Sequence, residues 1–257
     1  MKKTSSKQVL IECKSTPRSG LHFLKNTLEH FLGEHFSFCE RYNEPGCCKK
    51  FPCALQCLLD EAEKNQKPHL RLAKSHDFQI KDKRFKTSKT RRLLILKRDP
   101  LYVITSWWEL EEIVRHKELL LRHHIDPKKI LYLHEAPLIH PAIRLMDKNY
   151  IPPTENEFRA WLNKSSLYLK AFHERWVDAP RDQFTRVINF DHVEKYAVSL
   201  IKEIKPSLKN SRELAALSKS FISRDDPFIV KSKAVTLFLQ SHRELILSHL
   251  KKRNLIK

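Results

Sequence analysis

The sequence predicts an α/β protein of three layers with a central, mainly parallel sheet. Three observations predict it. Short apolar runs at residues 8–13 (QVLIEC), 69–76 (HLRLAKSH), 91–97 (RRLLILK) and 184–190 (FTRVINF) have strand length and alternate with stretches of helical periodicity. Such alternation is the signature of a parallel sheet covered by helices. Polar turns follow the first three runs, and open parallel sheets bind ligands beyond the carboxyl ends of their strands.

The elements follow in order. The first strand, 8–13, runs through residues 14–20 into a helix over 21–32, where Leu21, Leu24, Leu28 and Phe31 or Leu32 share one face. A cysteine-bearing excursion over 39–57 comes next, with a turn at Pro45-Gly46, and residues 52–64 read as a helix opened by Pro52. The second strand is 69–76, residues 81–90 are a charged loop, and 91–97 is the most apolar strand. A long helix is expected over 101–121, broken before Asp126-Pro127, with a short strand at 130–133. Thr154 and Glu157 form a capping box for a helix reaching about Val177. The fourth strand, 184–190, leads at once into a helix through Ile204, ended by Pro206. Helices over 211–220 and 232–251 complete the chain.

At 257 residues the chain can bury a full core, and a single domain over 1–257 is expected. Its net charge of +19 and pI near 9.7 call for anionic partners: nucleotide, nucleic acid, acidic polysaccharide or a membrane surface. The N-terminal stretch MKKTSSKQVLIECK has no apolar run of signal-peptide length, and no stretch approaches the roughly 20 apolar residues of a membrane helix. A soluble, cytoplasmic protein is the expectation. Five of the six cysteines (Cys39, Cys47, Cys48, Cys53 and Cys57) lie in the excursion, without a CxxC pair. Buried thiols shaping a loop are the favoured reading, with a metal site or disulfides as alternatives. His123, His124, His134, Glu135 and His140 read as scattered surface groups, since no HExxH pattern links them.

Three turns carry chemistry. The first, Thr16-Pro17-Arg18-Ser19-Gly20, precedes a helix, so unpaired backbone N–H groups and the positive helix end face it. Arg18 adds a permanent charge, and Gly20 permits close approach to the backbone. GxxxxGK[ST] is absent, which argues against a Mg-dependent ATPase or kinase. The third turn, Lys97-Arg98-Asp99-Pro100, is followed by Ser106, eight residues after Arg98. A guanidinium and a hydroxyl at that spacing suit one phosphate, while Asp99-Pro100 also suits a helix start. The second strand ends in Lys74-Ser75-His76: an imidazole able to take a proton near neutral pH, beside an ammonium able to stabilise a leaving group.

These turns resemble those of the sulfotransferases that use 3′-phosphoadenosine-5′-phosphosulfate (PAPS), with a bacterial-type member expected. The family's PKSGTTW-like loop is matched by PRSGLHF at residues 17–23. Its RDP…S stretch is matched by Arg98-Asp99-Pro100 through Ser106, and its KTH-like strand end by Lys74-Ser75-His76. A YEDL-like strand end is matched loosely by residues 189–193 (NFDHV). The resemblance covers roughly residues 8–205 and implies a P-loop-like sulfotransferase architecture.

It further implies that Arg18, Ser19, Gly20, Leu21, His22 and Phe23 line the 5′-phosphosulfate, with Phe23 in the position of an adenine-stacking tryptophan. Arg98 and Ser106 would hold the 3′-phosphate. His76 would be the general base, and Lys74 and Arg18 would stabilise charge on the leaving PAP, the desulfated product. Leu21 and His22 stand where the family has hydroxyl residues. Its late Gly-rich segment has no counterpart, leaving Lys231-Ser232-Lys233 as the stretch to stand in. The expected partners are the nucleotide and an acceptor hydroxyl or amine, on a carbohydrate or a small molecule. The rival reading is a non-catalytic, basic nucleic-acid or polyanion binder; no RRM, KH or zinc-finger signature supports it.

Overall fold

The computed structural model describes residues 8–40, 68–75, 87–127, 136–208, 212–217 and 226–257. Its residues fall into two contact units, one made of Met1–Arg98 with Phe172–Ser223 and the other of Asp99–Ala171 with Arg224–Lys257.

The first unit carries the sheet. Strands β1 (Gln8–Ser15), β2 (Phe36–Glu40), β3 (His69–Ser75), β4 (Arg91–Lys97) and β5 (Thr185–Asn189) form five parallel strands in the order β2-β3-β1-β4-β5. β1 is central and almost wholly buried, as a parallel strand covered on both faces must be. Its side chains alternate between two layers. Val9, Ile11 and Cys13 join Leu70, Leu72, Leu94 and Leu96 under α1 (Leu21–Leu32), which contributes Leu21, Leu24, Leu28 and Leu32. On the opposite face Ile95 packs against Phe172 and Val177, with Trp176 beside them. The chain is therefore α/β, with helical layers on both sides of a central parallel sheet.

β2 is absent from the sequence reading. It has five residues (FSFCE) and, among the described residues, pairs with β3 alone. Its Phe36 and Phe38 pack against the α1-side core. The expected helix at 52–64 and strand at 130–133 lie outside the described residues, as do Cys47, Cys48, Cys53 and Cys57. Cys39 and Cys13 are buried and take part in no disulfide.

In the second unit the expected helix 101–121 is two helices, α2 (Pro100–Arg115) and α3 (Lys117–Arg122), and a helix absent from the sequence reading follows, α4 (Ala136–Lys148). Pro141 lies inside α4, where Ala142, Ile143 and Met146 are buried. The capping box at Thr154 opens α5 (Glu155–Phe172): Thr154 N–H donates to Glu157, and Glu157 N–H donates back to Thr154 Oγ1.

The chain then returns to the first unit through a helical turn over His173–Val177. After β5, α6 (Val193–Ile204) buries Val193, Ala197, Leu200, Ile201 and Ile204 on the α1-side core, and α7 (Arg212–Leu217) adds Leu214. The terminal helix is again two helices of the second unit, α8 (Lys233–Ser241) and α9 (Arg243–Lys252).

Both splits share one feature. His116 Nδ1 donates to the Glu112 carbonyl at 2.8 Å, and His242 Nδ1 to the Phe238 carbonyl at 2.8 Å. Each ring shares the carbonyl four residues back with the backbone N–H of the same histidine, at the residue between the two helices. The core of this unit gathers Val103, Ile104 and Trp108 with Phe158, Leu162, Phe228 and Phe238. Among the described residues no helix is long and apolar enough to cross a membrane.

Candidate functional site

Because the sheet is parallel, the carboxyl ends of its strands share one edge. The connection after β1 leads toward β2 on one side, and the connection after β4 leads to β5 on the other. The switch point therefore lies between β1 and β4, where ligands of open α/β sheets bind. Residues 16–20 and Lys97-Arg98 leave the sheet at that point.

The β1–α1 turn is tight and left-handed at two positions. Gly20, the residue capping α1, has φ 91°, and Arg18 has φ 62°. Ser19 is buried, and its hydroxyl donates to the Thr16 carbonyl at 2.7 Å. Left-handed residues in such a turn gather backbone N–H groups into a concavity that suits an anion. No side chain caps α1, and its first turn holds no acidic residue. The positive end of a 12-residue helix thus faces the turn. Thr16 is 3% exposed, and its Oγ1 is buried with no hydrogen-bond partner among the described residues.

Cations converge on the turn. The Arg98 guanidinium donates from Nη1 to the Arg18 carbonyl at 3.1 Å and lies 4.3 Å over the Phe190 ring. Lys74, at the end of β3 and 5% exposed, donates from Nζ to His22 Nε2 at 3.3 Å. Lys74 stands opposite Cys13 across the β1–β3 ladder. Burial pushes the Cys13 thiol up, with Lys74 and then Lys14 pulling it back. Lys14 points to the other face, 1% exposed, with its Nζ 5.5 Å from the Trp176 ring centre.

The structure thus brings Arg18, Ser19, Gly20, His22, Lys74 and Arg98 to one sheet edge. It differs from the sequence reading at Gly20. A Cβ there would lie 2.0 Å from Phe190 Cε2, so the space beside the bare Cα is filled by that ring. Phe190 was legible only as the aromatic of the loosely matched NFDHV stretch. Leu21 is buried in the α1-side core and Phe23 packs partly against it. Ser106 is buried two turns into α2, in the second unit. Asp99 caps that helix, accepting from Leu101 N–H at 2.8 Å, with Pro100 as the first helical residue. His76 lies outside the described residues.

Ser232 has a structural task. It is fully buried as the cap of α8, where its N–H donates to Glu109 at 2.8 Å and its hydroxyl donates to Asp147. Asp147 also accepts from Lys233 and Ala234 N–H groups at 3.2 Å each. The positive end of α8 is therefore neutralised by a carboxylate. Among the described residues no group of three or more His, Cys, Asp or Glu could hold a metal ion.

No protein-family model matches the sequence, and no curated protein matches it. Among solved structures the chain is similar to mouse sulfotransferase SULT7A1 complexed with PAP. Sequence identity is 12% and the TM-score 0.41, over 96% of this chain and 86% of that one. A likeness that distant carries no functional argument; the turn residues do.

Proposed function

We propose that the protein is a cytoplasmic sulfotransferase that moves a sulfuryl group from PAPS to an acceptor hydroxyl or amine. The observation that carries the reading is the uncapped N-terminus of α1 at the switch point, with the Arg18 turn, Lys74 and Arg98 gathered on it. The buried Thr16 hydroxyl suits an incoming oxyanion, because a ligand oxygen would satisfy it. The positive end of α1 and the N–H groups of its first turn suit the 5′-phosphosulfate. Arg98 is assigned to the 3′-phosphate, with Ser106 as its partner in the motif.

The transfer would proceed in line. The acceptor oxygen or nitrogen forms a bond to sulfur as the bond from sulfur to the bridging phosphate oxygen breaks. The acceptor proton passes to the His76 imidazole, and the departing electron pair stays on the phosphate of PAP. Lys74 and Arg18 stabilise the charge that builds there.

Calorimetric titration with PAP, and with AMP as control, tests the reading. PAP is expected to bind at least about tenfold more tightly than AMP, the scale of one charge-assisted contact. Arg98→Ala should weaken PAP strongly and adenosine 5′-phosphosulfate little. Equal affinity for PAP and AMP would remove the 3′-phosphate site and the cofactor assignment with it.

A further inference from the structure

We propose that His22 is a positioning residue that aims Lys74 through Nε2, an atom that then donates nothing to the nucleotide; this rests on the reading above. Residue 22 stands in the first turn of α1, and Lys74 ends β3. Their side chains meet at 3.3 Å between Nζ and Nε2.

The chemistry of the pair sets its direction. An ammonium has three donors and no acceptor, so Nε2 of His22 must offer its lone pair. His22 is then a neutral imidazole with its proton on Nδ1. Nε2 is spent on lysine and has no proton to give a phosphate.

Lys74 gains what His22 gives up. A lysine charge sits on a flexible four-carbon stem, and holding it in one place costs rotamer entropy. Burial of Lys74 to 5% exposure removes much of that freedom, and the bond to His22 directs the ammonium to the uncapped end of α1.

Two readouts test the assignment. The first needs no nucleotide: nitrogen-15 NMR of the free protein should show His22 as the Nδ1–H tautomer, and Lys74→Met should return it toward the Nε2–H form. An Nε2–H tautomer in the unmodified protein would overturn the assignment.

The second is a double-variant cycle read by PAP titration. His22→Ala and Lys74→Met are each expected to weaken PAP by about tenfold. The double variant should be no weaker than Lys74→Met alone. His22→Gln, which keeps an acceptor on a side chain of similar reach, should restore affinity to within about threefold. Effects that multiply to about a hundredfold would mean that His22 binds the nucleotide directly, against the proposal. If the unmodified protein binds no PAP, the functional reading fails, while the tautomer measurement still decides the role of His22.

Discussion

Arg18 holds a backbone conformation that an L-residue with a long side chain adopts at a cost. Its φ of 62° lies in the left-handed region, worth about 1–2 kcal/mol against a residue with a Cβ. Strain of this kind persists where the surroundings impose it, and here the Arg18 carbonyl accepts from Arg98. The strained position is also the one whose side chain carries permanent charge. Arg18→Gly should therefore raise stability to chemical denaturation by about 1 kcal/mol and weaken PAP at least several-fold. Loss of stability together with unchanged PAP affinity would show that Arg18 serves the fold alone. Gly20 is the counterpart: glycine supplies the φ of 91°, and the Phe190 ring takes the space a side chain would need.

At the scale of elements, polar side chains decide where helices begin. Ser232 ties three helices together: its N–H reaches Glu109 of α2, its hydroxyl reaches Asp147 of α4, and its oxygen accepts from Val235 N–H at the start of α8. Ser232→Ala removes the cap and strips Asp147 of a donor. A loss of about 2 kcal/mol is expected in urea unfolding, with PAP affinity unchanged. A variant as stable as the parent would mean that the lysine-flanked stretch serves something other than helix packing. At His116 and His242, between the paired helices, the ring and the backbone N–H share one carbonyl. Apolar periodicity runs straight through both sites, so the sequence read each pair as one helix.

For the whole molecule, the partly buried histidines set a direction of pH dependence. Burial holds His69, His173 and His249 below the usual imidazole value; neighbouring cations add to it, while Asp178 opposes it at His173. Unfolding hydrates these rings and raises their proton affinity, so the unfolded chain binds more protons below about pH 6.5. Their contribution to stability is fully present above that pH and is lost as pH falls through the depressed values. The melting temperature of His173→Gln should therefore fall less than that of the unmodified protein between about pH 7.5 and pH 5.5. Parallel falls in the two proteins would remove His173 from the effect.

By itself the sequence determined the fold class and the chemistry available to the site. Apolar runs of strand length alternating with helical periods leave few arrangements other than a parallel sheet under helices. The turns at 16–20 and 97–100 announce themselves through Pro, Gly, Asp and Arg. The capping box at Thr154 and the Asp99-Pro100 helix start are local hydrogen-bond patterns, and local patterns are written in local sequence. The tertiary structure alone decided the strand order, the short edge strand β2, the ring of Phe190 against Gly20, the bond between His22 and Lys74, and the commitment of Ser232 to a helix cap. The physical reason is separation along the chain. His22 and Lys74 stand 52 positions apart, and Ser232 and Glu109 stand 123 apart. No periodicity or spacing rule spans such distances, so these partners become readable only when the sheet and the helices pack.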